Sequence, residues 1–431
     1  MTLATKRGIR GSGGPVSDPP RPLYTLLPPQ QGPHPSDAPR LCRGLHTRVP
    51  GAARAAGRAR LRPGGRAVFP AGLKDALLAH MCRDRAVSLM DDLRAANPSE
   101  HTRWLAEPDE PAFRELLHAR YAQTYSYPFL YEPGGAVRLW RDGALLSLGE
   151  FDARGALLWH TGLWSKPGRD SLDSGLSVAL PSRRTVMGRA EHEALWGSLL
   201  ERLGRWVGFL HQNTSTLHVM AQRYASRFMR ARPMGLVVNY TRGETVIGVE
   251  EGRGVPMQAL AMTTVLAPPP PRRRYLPEGP WGEWLASILA GVGLAESVDF
   301  TPLERRAGRE GAVLRPLDWN ASLRLERRIL VGFSAEGTPA LTSERARVDL
   351  IHLPMGEPQS VAEGTPVLLA AGFLPTGIRL RQHEPDELVF QYVADPKAAC
   401  EVVSRARLDG ARARELFVGW MERCARTSWT R

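Results

Sequence analysis

The chain has 431 residues, 43% of them hydrophobic, and a formal net charge of +13, which suits two or three domains with cores of their own. It holds no run of about eighteen apolar residues, so we expect no membrane-spanning helix. Residues 1–7 lead into glycine and proline rather than an apolar stretch, which argues against a secretory signal. The four cysteines form no Cys-x-x-Cys or Cys/His pattern, as expected for a cytoplasmic protein without a zinc or other metal site.

The positive charge is concentrated at the start of the chain. Residues 1–68 hold twelve Lys and Arg and two acids, so this leader carries +10 and the remaining 363 residues carry +3. The leader is rich in Gly, Pro, Ala and Ser without hydrophobic periodicity, and we expect it to be disordered. Two alternatives stay open. The leader could bind nucleic acid weakly through phosphates. Alternatively, the true start could be Met81 or Met90, because arbitrary GC-rich DNA, when translated, also gives a sequence rich in Arg, Pro, Gly and Ala without a pattern.

From residue 72 to residue 267, hydrophobic periodicity alternates between the helical and the strand pattern. The predicted helices are 72–96, 111–121, Glu191–Leu203 and Leu217–Met229, the first of them peripheral. The predicted strands are Trp104–Ala106, Val137–Arg141, Ala144–Phe151, Ala156–Leu163, Leu176–Leu180, Val207–His211, Leu236–Tyr240 and Ala259–Leu266. Four tyrosines fall within residues 121–131, a density typical of a half-buried wall beside a cleft.

The second half repeats this alternation after an exposed linker of proline and arginine, residues 268–274. Its predicted helices are Trp281–Leu294, Val361–Ala371 and Val402–Cys424, and its predicted strands are Ala312–Arg315, Ser322–Val331, Arg347–Leu353, Gly377–Arg381 and Glu387–Val393. We therefore expect two domains, 102–267 and 275–431, preceded by a peripheral helix within 69–101. The order of elements predicts an α+β fold in three α/β/α layers.

Two separate stretches, Thr214–Tyr240 and Leu353–Tyr392, both run strand, helix, short break, strand. The second contains Ala-Gly-Phe-x-x-x-Gly at 371–377, and the first half also holds Tyr-x-x-Thr-Tyr-x-x-x-x-Leu-Tyr-x-Pro at 121–133. This order resembles the GNAT superfamily of N-acetyltransferases, in which the last long helix closes over acetyl-CoA and runs into the final hairpin. Two stretches of this kind in one chain resemble a bacterial subgroup of GNAT proteins, in which an acetyltransferase domain is followed by a second GNAT-like half. The resemblance implies two related GNAT-like halves over about residues 102–395.

The resemblance also implies a pyrophosphate-binding loop after the fourth strand, usually Arg/Gln-x-x-Gly-x-Gly/Ala. Here Gly188-Arg189-Ala190 precedes a predicted helix, with Thr185 where the family has Arg or Gln. Backbone N–H groups at a helix N-terminus bind phosphate, and arginine adds charge-assisted hydrogen bonds. The residues implied to bind acetyl-CoA or another acyl-CoA are Arg183, Arg184, Gly188, Arg189 and Ala190.

Catalysis in this family needs a base for the amine, an acid for the departing thiolate, and a backbone N–H on the splayed fourth strand that polarises the thioester carbonyl. The candidate bases are Glu150 and His160, although a lone histidine on a strand often serves structure alone. Tyr224 is the candidate acid, and the family's own tyrosine would fall at Ala225. The expected substrate-cleft residues are Tyr125, Tyr127, His218 and Gln222, the last two lying one turn apart on one helix face.

The second half shows no Gly-x-Gly before a helix within residues 301–320, so we expect it to be structural or to shape the cleft. The predicted function is acyl-CoA-dependent transfer of an acetyl group to an amine of a small molecule or protein. No membrane partner is expected, and a nucleic-acid partner only through the basic leader. The sequence leaves open a GNAT-like binding or regulatory module that has lost the CoA loop.

Overall fold

A computed structural model describes the following residues: 89, 92–93, 101–123, 125, 127–165, 171–179, 186–217, 219–241, 257–304, 311–320, 323–337 and 340–426. The leader 1–68 lies outside the described residues, as does the predicted helix 72–96 apart from three positions. The described residues belong to one compact unit, Ala71–Arg431. Among them, no helix is long and apolar enough to cross a membrane.

From residue 101 to residue 265, the described residues form seven strands and four α-helices. They are β1 (Thr102–Trp104), α1 (Glu110–Tyr121), α2 (Gly135–Arg141), β2 (Leu145–Phe151), β3 (Leu157–Ser165), β4 (Ser171–Ala179), α3 (Arg189–Leu203), β5 (Phe209–Ser215), α4 (Met220–Arg227), β6 (Arg232–Thr241) and β7 (Met257–Val265). Most of the predicted elements are present, with bounds that differ by a few residues.

One predicted strand is wrong. Residues 137–141 belong to helix α2, which begins after Gly134 in the left-handed conformation (φ +77°). Val137 and Trp140, three positions apart, both bury their side chains on one side of this helix. The Trp140 indole N–H donates to Ser147 Oγ at 2.8 Å, which fixes the helix against β2. An apolar run of five residues fits both the helical and the strand periodicity. Here the burial of one helix face favours the helix.

The second part of the chain continues with seven strands and four helices in its described residues. They are β8 (Arg274–Pro277), α5 (Pro280–Ala290), β9 (Val298–Thr301), β10 (Gly311–Asn320), β11 (Leu325–Ser334), β12 (Val348–Pro354), α6 (Pro358–Ala370), β13 (Phe373–Arg379), β14 (Glu387–Tyr392), α7 (Pro396–Ser404) and α8 (Ala411–Arg426). The long helix predicted over 402–424 is two helices, because residues 405–410 leave the helical conformation before α8.

Twelve of the strands form one sheet in the order β1-β2-β3-β4-β5-β7-β6-β13-β14-β12-β11-β10, and β8 pairs with β9 separately. We call β1–β7 the first arm and β10–β14 the second arm. Read outward from the middle, β6-β7-β5-β4-β3 and β13-β14-β12-β11-β10 have the same order. In both arms the third and fourth of these strands are parallel and the other neighbours antiparallel.

The two arms meet at a single backbone pair, Gly235 of β6 with Gly377 of β13, which we call the seam. A Cβ atom on Gly235 would lie 2.4 Å from the carbonyl oxygen of Thr376, so the strands approach too closely for any side chain here. Next to this pair, the Gln391 side chain accepts from the Val238 N–H at 2.9 Å and donates to the Val238 carbonyl at 2.7 Å. The Gln391 side-chain amide thus adds two hydrogen bonds between the arms, where the strands themselves share only one backbone pair.

Helices cover both faces of the first arm. One face, which we call the α3 face, packs Trp159 and Leu172 against α3. The opposite face, the α1 face, packs Leu157 and Val178 against Phe113 of α1. In the second arm α5, α6 and α8 share one core with β13 and β14. The predicted α+β fold, with helices layered on the sheet, is confirmed.

Candidate functional site

The parallel strands β4 and β5 separate half-way along their length. They pair only from Ser171–Ser174 to Phe209–Gln212, although β4 continues to Ala179 and β5 to Ser215. Beyond that point β4 keeps its bonds to β3 and β5 keeps its bonds to β7. Leu176 adopts a positive φ of 56°, and the register of β3 with β4 shifts here, as in a β-bulge. The result is a gap between the carboxyl ends of two parallel strands, where open α/β sheets bind ligands.

Helix α3 begins beside this gap. Its first residue is Arg189 and its N-cap is Gly188, with an extended backbone. The first amides of a helix have no acceptor within the helix, and the helix dipole favours negative charge at this end. The Gly188 N–H donates to the Glu191 carboxylate at 2.6 Å. Arg189 pairs with Glu193 on the exposed surface at 2.9 Å. Arg183 and Arg184 lie outside the described residues.

Glu150 anchors the turn before α3. The residue is fully buried on β2, and its Oε1 accepts from the Met187 N–H at 2.9 Å and from the Val186 N–H. Its other oxygen, Oε2, is buried and has no hydrogen-bond partner among the described residues. A carboxylate therefore already holds two backbone amides next to the place where the sequence predicts a phosphate.

Tyr224 of α4 lies in an aromatic cluster on the α3 face. Its hydroxyl accepts from the Trp196 indole N–H at 2.5 Å, and its ring centroid is 5.8 Å from Trp159 and 5.0 Å from Phe228. Burial raises the pKa of Tyr224, the Trp196 hydrogen bond opposes that rise, and the Glu150 charge adds to it. Glu150 and Tyr224, both candidates from the sequence, are therefore electrostatic neighbours.

His192 joins this cluster and was not predicted. It lies in the first turns of α3, 5.7 Å from Trp159, 6.1 Å from Tyr224 and 5.4 Å from Phe228 between ring centroids. Its Nδ1 is buried and has no partner among the described residues. Burial lowers the pKa of His192, and the Glu150 carboxylate opposes this. One signal was available, since His192 and Trp196 are four residues apart on the buried side of the predicted helix.

His160 lies on the opposite, α1 face of the sheet. It is fully buried, its ring packs on Phe113 at 4.8 Å, and its Nδ1–H donates to the Leu176 carbonyl at 2.8 Å. Desolvation lowers the pKa of His160 to about 4. The ring is thus neutral near pH 7, and its hydrogen bond supports the bulge that opens the gap. That His160 is a base stays a prediction.

The tyrosines predicted to line a cleft form a continuous wall on the α1 face. Ring centroids are 5.1 Å apart between Tyr121 and Tyr125, 5.8 Å between Tyr125 and Tyr127, and 5.1 Å between Tyr127 and Trp164. Desolvation raises the pKa of Tyr125 and Tyr127. Both hydroxyls are therefore protonated at any physiological pH, which suits them to hydrogen bonding.

Gln222 has a structural position. Its buried amide group donates to the carbonyls of Ser215 at 2.9 Å and Arg407 at 2.8 Å, and it accepts from the Asp409 N–H at 2.9 Å. These bonds dock the segment before α8 onto α4. A contact of Gln222 with substrate stays a prediction. His218 lies outside the described residues.

No family model matches the sequence, and no curated protein is similar to it. Among the similar solved structures, three each match 38% of the chain. They are a GNAT phosphinothricin acetyltransferase from Sinorhizobium meliloti with AcCoA (15% identity, 88% of that chain, TM-score 0.29), a ribosomal-protein-alanine N-acetyltransferase from Brucella melitensis (17%, 98%, 0.28) and a spermidine N-acetyltransferase mutant from Vibrio cholerae (14%, 92%, 0.30). These scores are too low to assign a function.

Proposed function

We propose that the first arm transfers an acyl group, in the first instance acetyl, from acyl-CoA to an amine. The observation that carries this proposal is the gap between β4 and β5 beside the N-terminus of α3. A thioester in the gap would meet β4 amides after Ser174 that are no longer paired with β5. Such backbone donors stabilise the oxyanion that develops during acyl transfer.

The CoA pyrophosphate would lie at the first turn of α3, near Gly188–Ala190. The helix dipole and the amides of the first turn that follow Gly188 favour an anion there, and Arg183, Arg184 and Arg189 would add positive charge. Gly188 supports this placement because a Cβ on it would meet only Glu191 Oε2, at 3.6 Å. The backbone is therefore open to approach at this point.

In acyl transfer one bond to the carbonyl carbon forms, one breaks, and the remaining steps are proton transfers. The amine nitrogen attacks the thioester carbonyl carbon, the C–S bond breaks, and the proton that the amine loses balances the one that the thiolate gains. We propose Tyr224 as the acid for the thiolate, with Glu150 or His160 as the base. The position of Tyr224 beside Glu150 and His192 supports its role, since all three lie on the face that carries α3.

We further propose that residues 102–267 and 275–431 are related domains, the second of them degenerate and without its own CoA. The shared strand order of the arms supports this relation. The described residues between β11 and β12 contain no helix, so this arm offers no helix N-terminus beside its parallel pair. A cytoplasmic location stays a prediction.

Acetyl-CoA binding tests the proposal directly. At one hundred times its dissociation constant the cofactor should stabilise the folded parent by about 2.7 kcal/mol, measured by thermal shift. Gly188→Val should fold like the parent, because the backbone here is not left-handed and the space is open. It should lose cofactor affinity, since a branched side chain would obstruct the phosphate.

Arg184→Ala should weaken acetyl-CoA binding by about tenfold or more, the value of a charge-assisted hydrogen bond. Arg205→Ala is the matched control, because this exposed arginine pairs with Glu201 at the far end of α3. If the parent gives no shift at millimolar acetyl-CoA, the chain has the fold without the cofactor. If both Gly188→Val and Arg184→Ala bind acetyl-CoA as tightly as the parent, the cofactor lies elsewhere.

A further inference from the structure

A group of ionisable side chains crosses from one arm to the other on the α1 face. We call it the seam cluster, and it consists of Tyr127, Asp173, Tyr240, Asp318, Arg327 and Arg379. Asp173 of β4 accepts from Arg379 of β13 at 2.9 Å. Asp318 of β10 accepts from Arg327 of β11 at 3.0 Å. The cluster thus holds two carboxylates and two guanidinium groups, contributed by both arms.

Strand alternation places Asp173 on the α1 face. Asp173 is opposite His211 in the β4–β5 register, and Leu172, on the α3 face, is its immediate neighbour. Burial raises the pKa of both Tyr127 and Tyr240; the charges of Asp173 and Asp318 raise it further, and Arg327 opposes them. The two tyrosines, both from the first part of the chain, therefore face the same charges.

The ion pairs of the cluster are open to solvent on one side. The four charged side chains keep between 14% and 26% of their surface exposed. By contrast, the buried pair Arg274–Asp386 keeps at most 2%. Pairs at this depth are shielded enough to be strong, yet a small polar molecule can reach them without opening the core.

The cluster also adjoins the gap. Asp173 immediately precedes Ser174, the last β4 residue that pairs with β5. Tyr127 extends the cluster towards Trp164, whose ring lies 5.1 Å away. The proposed cofactor site lies on the α3 face, so a second substrate entering from the α1 face would meet the seam cluster first.

We propose that the seam cluster binds the acyl acceptor and selects a small amine that also carries an anionic group, a carboxylate or a phosphate. This proposal rests on the acyl transfer proposed above. Asp173 and Asp318 would hold the ammonium group, and Arg327 and Arg379 the anion. Such a ligand exchanges each internal ion pair for a new one, so every charge stays compensated. An amine without an anion would leave the guanidinium groups unmatched, which disfavours it.

Two matched ligand pairs test this selection by isothermal titration calorimetry on the full chain without cofactor. Putrescine and ornithine differ by a carboxylate, and ethanolamine and phosphoethanolamine differ by a phosphate. We expect the anionic member of at least one pair to bind about tenfold or more tightly, as one charge-assisted hydrogen bond would give. The pair that shows the preference identifies the anion. Equal or weaker binding of both anionic members, or no binding of any of the four, overturns the proposal.

Arg327→Gln and Arg379→Gln should each abolish most of this preference. The anionic ligands lose a guanidinium partner, whereas putrescine and ethanolamine leave one guanidinium group fewer unmatched and should bind at least as tightly as before. Arg205→Gln should leave the preference intact, since Arg205 is exposed at the end of α3. A merely structural role would lower thermal stability in the variants and weaken all four ligands alike, which would contradict the proposal. Acetyl-CoA binding is measured separately on the same proteins, so failure of cofactor binding and failure of acceptor selection are distinguishable.

Discussion

The first arm places helix α3 between its parallel strands β4 and β5, whereas the second arm connects β11 to β12 through residues 335–347. In the second arm this connection is hydrogen-bonded to β11 and β12. The Ser343 N–H donates to Asp349 at 2.7 Å, and Arg328 donates to Asp349 at 2.6 Å. The arms therefore share a strand order but differ at the one position where a helix N-terminus could meet a ligand.

The parallel strands of the second arm also separate, since β11 and β12 pair only from Leu325 with Val348 to Ile329 with His352. At the end of this pairing, His352 Nδ1 lies 2.7 Å from Glu387. The His352 ring and the Arg381 and Arg379 charges hold the pKa of Glu387 at about 2, against the rise that burial causes. A buried histidine–carboxylate pair thus lies at the divergence of β11 and β12, and both partners come from within the sheet. In the described residues, the arms thus share a strand order but not a helix between the parallel strands.

The largest expected effect comes from two fully buried tryptophans, one in each arm. Trp196 of α3 and Trp420 of α8 are both inaccessible, and each replacement by alanine should cost about 3–5 kcal/mol of unfolding free energy. Because the sheet is continuous, we expect each variant to unfold in a single calorimetric transition at lower temperature.

Trp319→Ala is the control for this comparison, since that ring is partly exposed and lies under the Arg345 guanidinium, 4.5 Å from its centroid. It should cost about 1 kcal/mol or less. Two transitions, with only one of them shifted by each buried tryptophan variant, would show that the arms are independent folding units.

The next effect concerns the seam. Gly235→Ala should destabilise the protein by about 3 kcal/mol, because its Cβ would overlap the Thr376 carbonyl and only a backbone shift could relieve it. Gly197→Ala in α3 is the matched control, as nothing lies within 4 Å of its Cβ. That control should gain about 0.5–1 kcal/mol from helix propensity. Chemical denaturation measures both, and equal stability of the two variants would contradict the close approach at the seam.

The last prediction concerns the pH dependence of stability that the buried His160 causes. Its folded-state pKa is about 4, below the ordinary value near 6.5. The unfolded chain therefore takes up a proton that the folded chain refuses as the pH falls from 6.5 to 4. Stability should fall over that window by about 1.4 kcal/mol per pH unit from this residue alone.

His160→Gln should remove the contribution of His160 to the slope of unfolding free energy against pH. Urea denaturation at pH 7, 6 and 5 measures this slope. Its amide can still donate to the Leu176 carbonyl, and far-UV circular dichroism at pH 7 serves as the control for the fold. Identical slopes in variant and parent would show that His160 takes up its proton over the same pH range in the folded and the unfolded chain.

The sequence predicted the elements with long periodic patterns and missed those that depend on context. Helix α3 was predicted to within two residues because five apolar positions recur on one side of it. Val137–Arg141 was predicted as a strand, since five residues cannot distinguish the two periods. In the site, Glu150 and Tyr224 were predicted, but their neighbour His192 was not, because its partners lie on β3 and α4.

By itself the sequence determined where apolar side chains recur, and so which segments become helices and strands and that they alternate. Only the tertiary structure decided on which face of the sheet each polar residue lies. Side chains alternate strictly along a strand, and one bulge, such as that at Leu176, reverses the assignment for all that follows. The tertiary structure also decided that Asp173 and Arg379, 206 positions apart, form one ion pair. Their contact depends on a seam that two glycines permit, and no local pattern encodes which strands will meet there.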